Sequence, residues 1–122
     1  MDLVKYKIFY LSLVSFLAFT INAGSNHINV DKAKDLIIDN LSTITSLKKD
    51  CVNIYEEETE SNSDYLQFDV REKHNAQCGG DPATEPNIAF IRVEQSGKVL
   101  VNHYLCGYVE LDSYRLDMRC DL

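Results

Sequence analysis

The residues best suited to chemistry lie in one polar segment near the middle of the chain. His74 lies between two carboxylates, Glu72 and Asp81, and a histidine beside a carboxylate can transfer protons near neutral pH. This pattern predicts acid–base catalysis as one function of the segment. The alternative is structural, because a histidine at the end of a strand can also order the loop that follows. No Ser or Cys stands in a recognisable nucleophile motif, so we assign no catalytic residue.

The same segment contains residues suited to binding. The backbone N–H groups of Gly79 and Gly80 can cradle an anion, but the Gly-x-x-x-x-Gly-Lys-Ser/Thr pattern of phosphate loops is absent. We therefore favour a turn in which the glycines adopt positive φ and Asp81 starts the reversal. Arg71 and Glu72 form either a cross-strand ion pair or part of a recognition surface. The candidate binding residues are Arg71, Glu72, His74, Gly79, Gly80 and Asp81.

Residues 1–23 have the pattern of a secretory signal peptide. Lys5 and Lys7 precede an apolar stretch from Ile8 to Ile21, and small residues follow at the cleavage position. A helix over this stretch would span about 21 Å, which is short of the roughly 30 Å hydrocarbon core of a membrane. We therefore expect export to the periplasm or the exterior, with no stable membrane insertion after cleavage. An uncleaved membrane anchor is the alternative.

The four cysteines, Cys51, Cys78, Cys106 and Cys120, all lie after this segment. An even count in an exported chain predicts two disulfide bonds, and three pairings are possible. We favour Cys51–Cys78, which ties the start of a strand to the loop after its partner, with Cys106–Cys120, which closes a C-terminal hairpin. The cysteines form no Cys-x-x-Cys pair, so we expect neither a metal site nor a redox motif, and no cofactor.

Composition excludes one class of function and favours another. The chain of 122 residues carries a formal net charge of −7, and such a protein lacks the basic face that nucleic acid binding requires. Hydrophobic residues make up 45% of the chain, which is enough for a folded core. The acidic run from Glu56 to Glu60, with Asp64 nearby, is either a solvated hairpin tip or a negative patch that steers a basic partner. We expect that partner to be another envelope or secreted protein.

Hydrophobic periodicity predicts one helix followed by strands. Apolar residues recur at helical spacing over 29–47, with Asn29 as the N-cap. Alternation and turn signals predict antiparallel strands at 51–56, 65–72, 88–94 and 99–104, with one more short strand or hairpin within 107–118. We therefore expect a single domain over 24–122. Its fold class is α+β, with one N-terminal helix packed on a four- to five-stranded antiparallel sheet that disulfides staple.

One face of this sheet is predicted to form the core. The predicted core residues of the strands are Leu66, Phe68, Val70, Ile91, Val93 and Val99, and those of the helix are Val30, Ala33, Ile37 and Leu41. The alternation places Tyr65, Gln67, Asp69 and Arg71 on the other face. Near the C-terminal cysteines, Tyr104, Tyr108 and Tyr114 form a cluster that is suited either to a protein interface or to packing.

Several segments resemble known proteins. The sequences INVDKA at 28–33 and VEQSGKVL at 93–100 resemble a PepSY-type domain, and the resemblance covers about residues 28–104. The sequences VREKH at 70–74 and CGGDPATEP at 78–86 resemble a segment of small, uncharacterised exported bacterial proteins. PepSY modules lack the loop that begins with CGGDP. The PepSY resemblance implies a bacterial envelope protein that binds or restrains another protein, with peptidase inhibition as the expected activity.

The sequence thus favours a small exported binding or inhibitory protein that acts by surface contact with another envelope protein, such as a peptidase or other hydrolase. The loop at 75–86 is the candidate contact surface, because its glycines and prolines define its path. Two alternatives stay open. One is a small hydrolase-like enzyme that uses His74 with Glu72 or Asp81 in a concave pocket at 72–86. The other is a structural envelope component that self-associates through an edge strand.

Overall fold

The computed structural model describes residues 27–120, and the predicted signal peptide lies outside them. Two helical segments come first, α1 (Val30–Asp39) and α2 (Leu41–Ile44). Five strands follow, β1 (Val52–Glu56), β2 (Tyr65–Glu72), β3 (Asn87–Glu94), β4 (Val99–His103) and β5 (Gly107–Glu110). Single 3₁₀ turns lie at Lys49–Cys51 and Leu111–Ser113. Among the described residues, no helix has both the length and the apolar character needed to cross a membrane.

The helix begins where the sequence predicts and ends earlier. Its first turn is capped by Asn29, whose side chain accepts a hydrogen bond from the Lys32 N–H at 2.8 Å. It ends at Asn40, where the backbone leaves the helical region and Nδ2 donates to the Leu36 carbonyl at 2.8 Å. The predicted helix over 29–47 is therefore wrong beyond Asp39, and only the single turn α2 follows.

The five strands form one antiparallel sheet in the order β1-β2-β3-β4-β5, so every strand pairs with its neighbours in sequence. Both disulfides of the favoured pairing are present, Cys51–Cys78 and Cys106–Cys120, with Cα atoms 5.5 Å and 5.4 Å apart. The prediction of an α+β fold with a disulfide-stapled antiparallel sheet is confirmed. Paired cysteines of this kind are typical of oxidising, extracytoplasmic compartments.

One face of the sheet and the helical segments contribute to the same buried cluster. Phe68 and Ile91 from the sheet and Ile37 from α1 are fully buried within it. Of the predicted core residues, Val30 and Leu66 are only partly buried at its margin. The buried residues that the sequence analysis missed are Ile28, Ala89, Val101, His103 and Leu111. Burying apolar area is the main favourable contribution to folding, so this cluster sets which face of each strand points inwards.

The opposite face of the sheet, which we call the open face, carries polar and aromatic side chains. Strand register places these residues on it: Tyr55, Tyr65, Gln67, Asp69, Phe90, Arg92, Leu100 and Tyr108. Gln67 and Asp69 are buried there, at 7% and 5% exposure, and hydrogen bonds to neighbouring side chains satisfy their polar groups. The alternation of β2 is therefore confirmed on both faces.

The connections divide between the two ends of the sheet. We call one the stapled end, because both disulfides lie there; it comprises 75–86 between β2 and β3, 104–106 between β4 and β5, and the C-terminal segment 114–120. The opposite end comprises the turns at 57–64 and 95–98. The first of these turns contains four acidic residues and no basic one, so we call it the acidic end.

The contribution of α1 to the core is testable with adjacent residues. Ile37→Ala should lower the free energy of unfolding by about 2–5 kcal/mol, because a fully buried side chain leaves a cavity when it is truncated. Ile38→Ala should cost less than about 1 kcal/mol, because Ile38 is 39% exposed. Urea denaturation followed by circular dichroism measures both values. Equal losses for the two variants would contradict the packing of α1 through Ile37.

Candidate functional site

The loop at 75–86 is joined to the sheet near each of its ends. The Cys51–Cys78 disulfide ties its first part to the residue before β1. Near its other end, the Glu85 carboxylate accepts a hydrogen bond from Asn53 Nδ2 at 2.7 Å. Both anchors lead to β1, the edge strand, although the loop connects β2 to β3. The loop therefore folds back across the end of β2 and is held there.

The Glu85 anchor extends into the open face. Tyr55 OH donates to the Glu85 carboxylate at 3.0 Å, and this hydrogen bond is the main cause that raises the pKa of Tyr55. Arg71 donates through Nε to the buried Asp69 carboxylate at 2.6 Å, which raises the pKa of Arg71, and through Nη1 to the Glu85 carbonyl at 3.4 Å. The other Asp69 oxygen accepts from Asn87 Nδ2 at 2.6 Å. Arg71 thus pairs within its own strand.

His74 directly precedes the loop, and its ring contacts residues within it. Its Nε2 lies 2.9 Å from Glu72 Oε2, and its Nδ1 lies 2.9 Å from the Asp81 carbonyl oxygen and 3.1 Å from Thr84 Oγ1. We call this group the His74 clasp. A carboxylate and a carbonyl can only accept, so the ring must donate from both nitrogens to satisfy both contacts. The imidazolium form therefore fits the clasp, in accord with a His74 pKa that is raised mainly by the Glu72 hydrogen bond and then by the Asp81 carbonyl.

The two glycines differ in what surrounds them. Gly79 and Gly80 both adopt positive φ, +77° and +79°, as the turn interpretation predicts. A Cβ at position 80 would lie 2.6 Å from the Cγ and Cδ2 atoms of His74, whereas a Cβ at position 79 would meet nothing within 4 Å. Gly80 is therefore needed both for its backbone conformation and for the close approach of the ring.

The clasp gives no support to acid–base catalysis. Both His74 nitrogens are engaged, the ring is covered by Gly80, and the side chain is 13% exposed. A general base needs a nitrogen that can reach the substrate proton, and neither nitrogen points outwards. A cavity of about 220 Å³ lies instead beside the turn at 95–98, and its lining includes Lys98 and Glu110. The geometry favours the structural alternative, in which His74 orders the loop.

The structure brings together four of the six predicted binding residues. Glu72, His74, Gly80 and Asp81 meet in the clasp. Gly79 shapes the turn without contacting them, and Arg71 points away towards Asp69. Sequence reasoning missed two participants, Thr84 and Glu85. The spacing of Asp81 and Thr84, which is typical of a side-chain-capped turn, was the available signal for the first.

A second histidine organises the C-terminal part of the stapled end. His103 is buried at 1% exposure, and its Nε2 donates a hydrogen bond to the Leu116 carbonyl oxygen at 3.0 Å. Its Nδ1 accepts from the N–H groups of Leu105 and Cys106 at 3.1 Å and 3.3 Å. This pattern requires one donor and one acceptor nitrogen, so the neutral ring with its proton on Nε2 fits it. Sequence reasoning did not identify this role.

His103 also lies beside the C-terminal disulfide. Its ligand atoms and those of Cys106 and Cys120 lie within 4.8 Å of one another, a spacing that a metal site would need. The two sulfurs are bonded to each other, and both ring nitrogens are already hydrogen-bonded to backbone groups. These contacts indicate a structural role for His103, in which it joins the backbone at 105–106 to the backbone at Leu116. Tyr104 and Tyr114 pack on His103 at ring distances of 4.6 Å and 6.0 Å, whereas Tyr108 lies on the open face, outside the predicted tyrosine cluster.

Comparison of the chain with family models, curated proteins and solved structures found no match. The resemblance to PepSY domains stays a prediction.

The glycine pair provides a matched test of the clasp. Gly79→Ala should lower the free energy of unfolding by about 1–2 kcal/mol, the cost of a side chain at positive φ. Gly80→Ala should cost about 1–3 kcal/mol more, because its methyl group overlaps the His74 ring. Denaturant titration of the two variants compares them. Equal stability of the two would show that the ring does not pack against Gly80.

The clasp also predicts a pH dependence. The pKa of His74 is raised above its ordinary value of 6.5, so the stability that the clasp contributes is complete below pH 6.5. It is lost as the pH rises through the raised pKa, because the ring loses one of its two donors. An NMR titration of the His74 ring should give a pKa above 6.5, and Glu72→Gln should lower it. A wild-type pKa at or below 6.5 would contradict the clasp.

Proposed function

We propose that this chain is an exported protein that binds another envelope or secreted protein through its stapled end. The signal-peptide pattern at 1–23 and the two disulfides support an extracytoplasmic location. The PepSY resemblance makes an envelope peptidase or other hydrolase the partner class to test first.

The observation that carries this proposal is a group of exposed apolar side chains at the stapled end. Tyr104, Leu105 and Leu116 are 75%, 55% and 71% exposed, the highest values among the large hydrophobic residues described. His103 connects them, because its ring packs on Tyr104, accepts from the Leu105 N–H and donates to the Leu116 carbonyl. Water-exposed apolar area that lies together is a feature of surfaces that bind other proteins.

The backbone that carries these side chains is held in place. The Cys106–Cys120 disulfide closes the segment, and the buried His103 joins its two sides through backbone hydrogen bonds. A segment fixed before binding loses little conformational entropy when it binds, so more of the contact energy contributes to affinity. This arrangement favours recognition by a preformed surface over folding on contact.

The loop at 75–86 supplies the second part of the proposed surface. It projects from the same end of the sheet, its residues from Asp81 to Pro86 are all exposed, and the disulfide and the His74 clasp restrain it. Two restrained loops at one end of a small sheet form a surface whose shape is set in the unbound protein. We therefore assign Glu72, His74 and Gly80 to maintaining the surface, with direct contacts made by the exposed residues from Asp81 to Pro86.

The proposal is tested with an exported, oxidised sample of the chain immobilised as bait against an envelope extract. The double variant Leu105→Ser/Leu116→Ser removes two exposed apolar contacts. The control Ile38→Ser removes one from the end of α1, which is followed by Asn40 beside the turn at 95–98, at the opposite end from the stapled end. Any protein retained by the wild type is identified, purified, and titrated against all three baits. The double variant should bind it at least about tenfold more weakly, because central apolar contacts dominate interface energies.

The control variant Ile38→Ser should bind like the wild type. Circular dichroism and a thiol assay verify that each bait is folded and oxidised. If no protein is retained by the wild type, or if the double variant binds with wild-type affinity, the stapled end is not the binding surface.

A further inference from the structure

An arginine on the open face is held between two aromatic rings. The Cζ atom of Arg92 lies 4.4 Å from the centre of the Tyr65 ring and 3.9 Å from that of Tyr108. Its Nε donates to Gln67 Oε1 at 3.0 Å, and Gln67 is itself buried. The rings come from β2 and β5, the two strands that lie on either side of the β3–β4 pair. These three contacts restrict the position of the guanidinium group.

The acidic residues around Arg92 are engaged elsewhere. Glu57 accepts from Gln67 Nε2 at 2.9 Å, and Glu110 pairs with Lys98 at 3.0 Å. Glu94, two residues along β3 from Arg92, accepts from Ser96 Oγ at 3.5 Å. Among residues 27–120, no carboxylate oxygen lies within 4.0 Å of an Arg92 nitrogen, although the whole chain has a net charge of −7. The cation is therefore not neutralised by an ion pair within this part of the chain. Its four terminal N–H groups form the planar fork that recognises planar anions.

We propose that Arg92, between Tyr65 and Tyr108, is a binding site for a carboxylate group. A carboxylate matches the guanidinium fork with two parallel hydrogen bonds, and the contacts with the two rings and with Gln67 hold the guanidinium group in place before a ligand binds. The nearby acids, Glu57, Glu94 and Glu110, distinguish between anions. Their negative potential opposes a doubly charged phosphate about twice as strongly as a singly charged carboxylate. The site therefore selects the monoanion.

The surroundings of the site indicate what carries the carboxylate. Leu100 lies directly opposite Arg92 on β4, and Phe90 lies two residues before it on β3, so partly exposed apolar side chains border the cation on the same face. A peptide segment with a glutamate or aspartate beside apolar residues complements this pattern in both charge and polarity. We therefore assign the carboxylate to a peptide that lies across the open face. This inference does not depend on the stapled end.

Peptide probes test the site directly. An acetylated and amidated pentapeptide, Ala-Leu-Glu-Leu-Ala, presents one carboxylate between apolar side chains, and the same peptide with Gln in place of Glu is its uncharged match. Each is titrated into the ¹⁵N-labelled, oxidised protein while the Arg92 Nε–H signal is followed by NMR. The Glu peptide should shift this signal to saturation, with an affinity at least about tenfold above that of the Gln peptide.

Two small anions show whether the site prefers a carboxylate to a phosphate and whether the apolar side chains of the peptide contribute to affinity. Inorganic phosphate should shift the signal more weakly than the Glu peptide, and acetate should bind more weakly as well, because it carries a single carboxylate without the flanking apolar groups. Phosphate that binds more tightly than the peptide would overturn the selection of a carboxylate. Acetate that binds as tightly as the peptide would overturn the assignment to a peptide.

Matched variants separate recognition from a structural role. Arg92→Gln should abolish the difference between the Glu and Gln peptides, and Arg92→Lys, which keeps the charge but not the fork, should reduce affinity about tenfold. Lys32→Gln removes an exposed positive charge from α1 and should leave binding unchanged. Backbone amide signals verify the fold of each variant and report binding where the Arg92 signal is absent. Equal binding of both peptides by the wild type, or unchanged discrimination in a folded Arg92 variant, would refute the site.

Discussion

Burial of one face of the sheet is the constraint on which the rest of this structure depends. Side chains alternate along a strand, so a shift of one residue in β2 would exchange the buried Phe68 for the charged Asp69. The register is thereby fixed by the energy of the core. That register places Arg92 beside Gln67 and brings the ends of β2 and β4 to the same end of the sheet. The open face and the stapled end both follow from it.

The sequence was sufficient to predict those parts of the structure that local patterns determine. The alternation in β2 predicted its bounds and both of its faces, and the glycine pair predicted two residues of positive φ. The helix was predicted too long, because periodicity continues past Asn40 whereas its side chain and backbone stop the helix there. The contact between His74 and Glu72 was accessible from their spacing. Glu85 reaching β1 depends on how the loop folds back, which no local pattern records.

The two ordered histidines illustrate how the same side chain is used in two protonation states. His74 faces two acceptors near the surface, so its charged form fits, whereas His103 faces one acceptor and two donors in the interior, so its neutral form fits. Each lies beside a disulfide and fixes the backbone that the disulfide closes. In a small domain with a modest core, such polar contacts supply part of the stability that apolar packing supplies in a larger domain.

The two ends of the sheet carry different charges, which gives the molecule an electric dipole moment directed along the strands. The acidic end concentrates negative charge around 57–64, whereas the stapled end contains the basic residues Arg115 and Arg119 as well as acids, and Lys73 adjoins it. Close to an anionic surface, within a Debye length of about 10 Å at 0.1 M salt, a torque acts on such a molecule. It turns the acidic end outwards and the stapled end towards the surface, so the protein approaches an anionic surface in one preferred orientation.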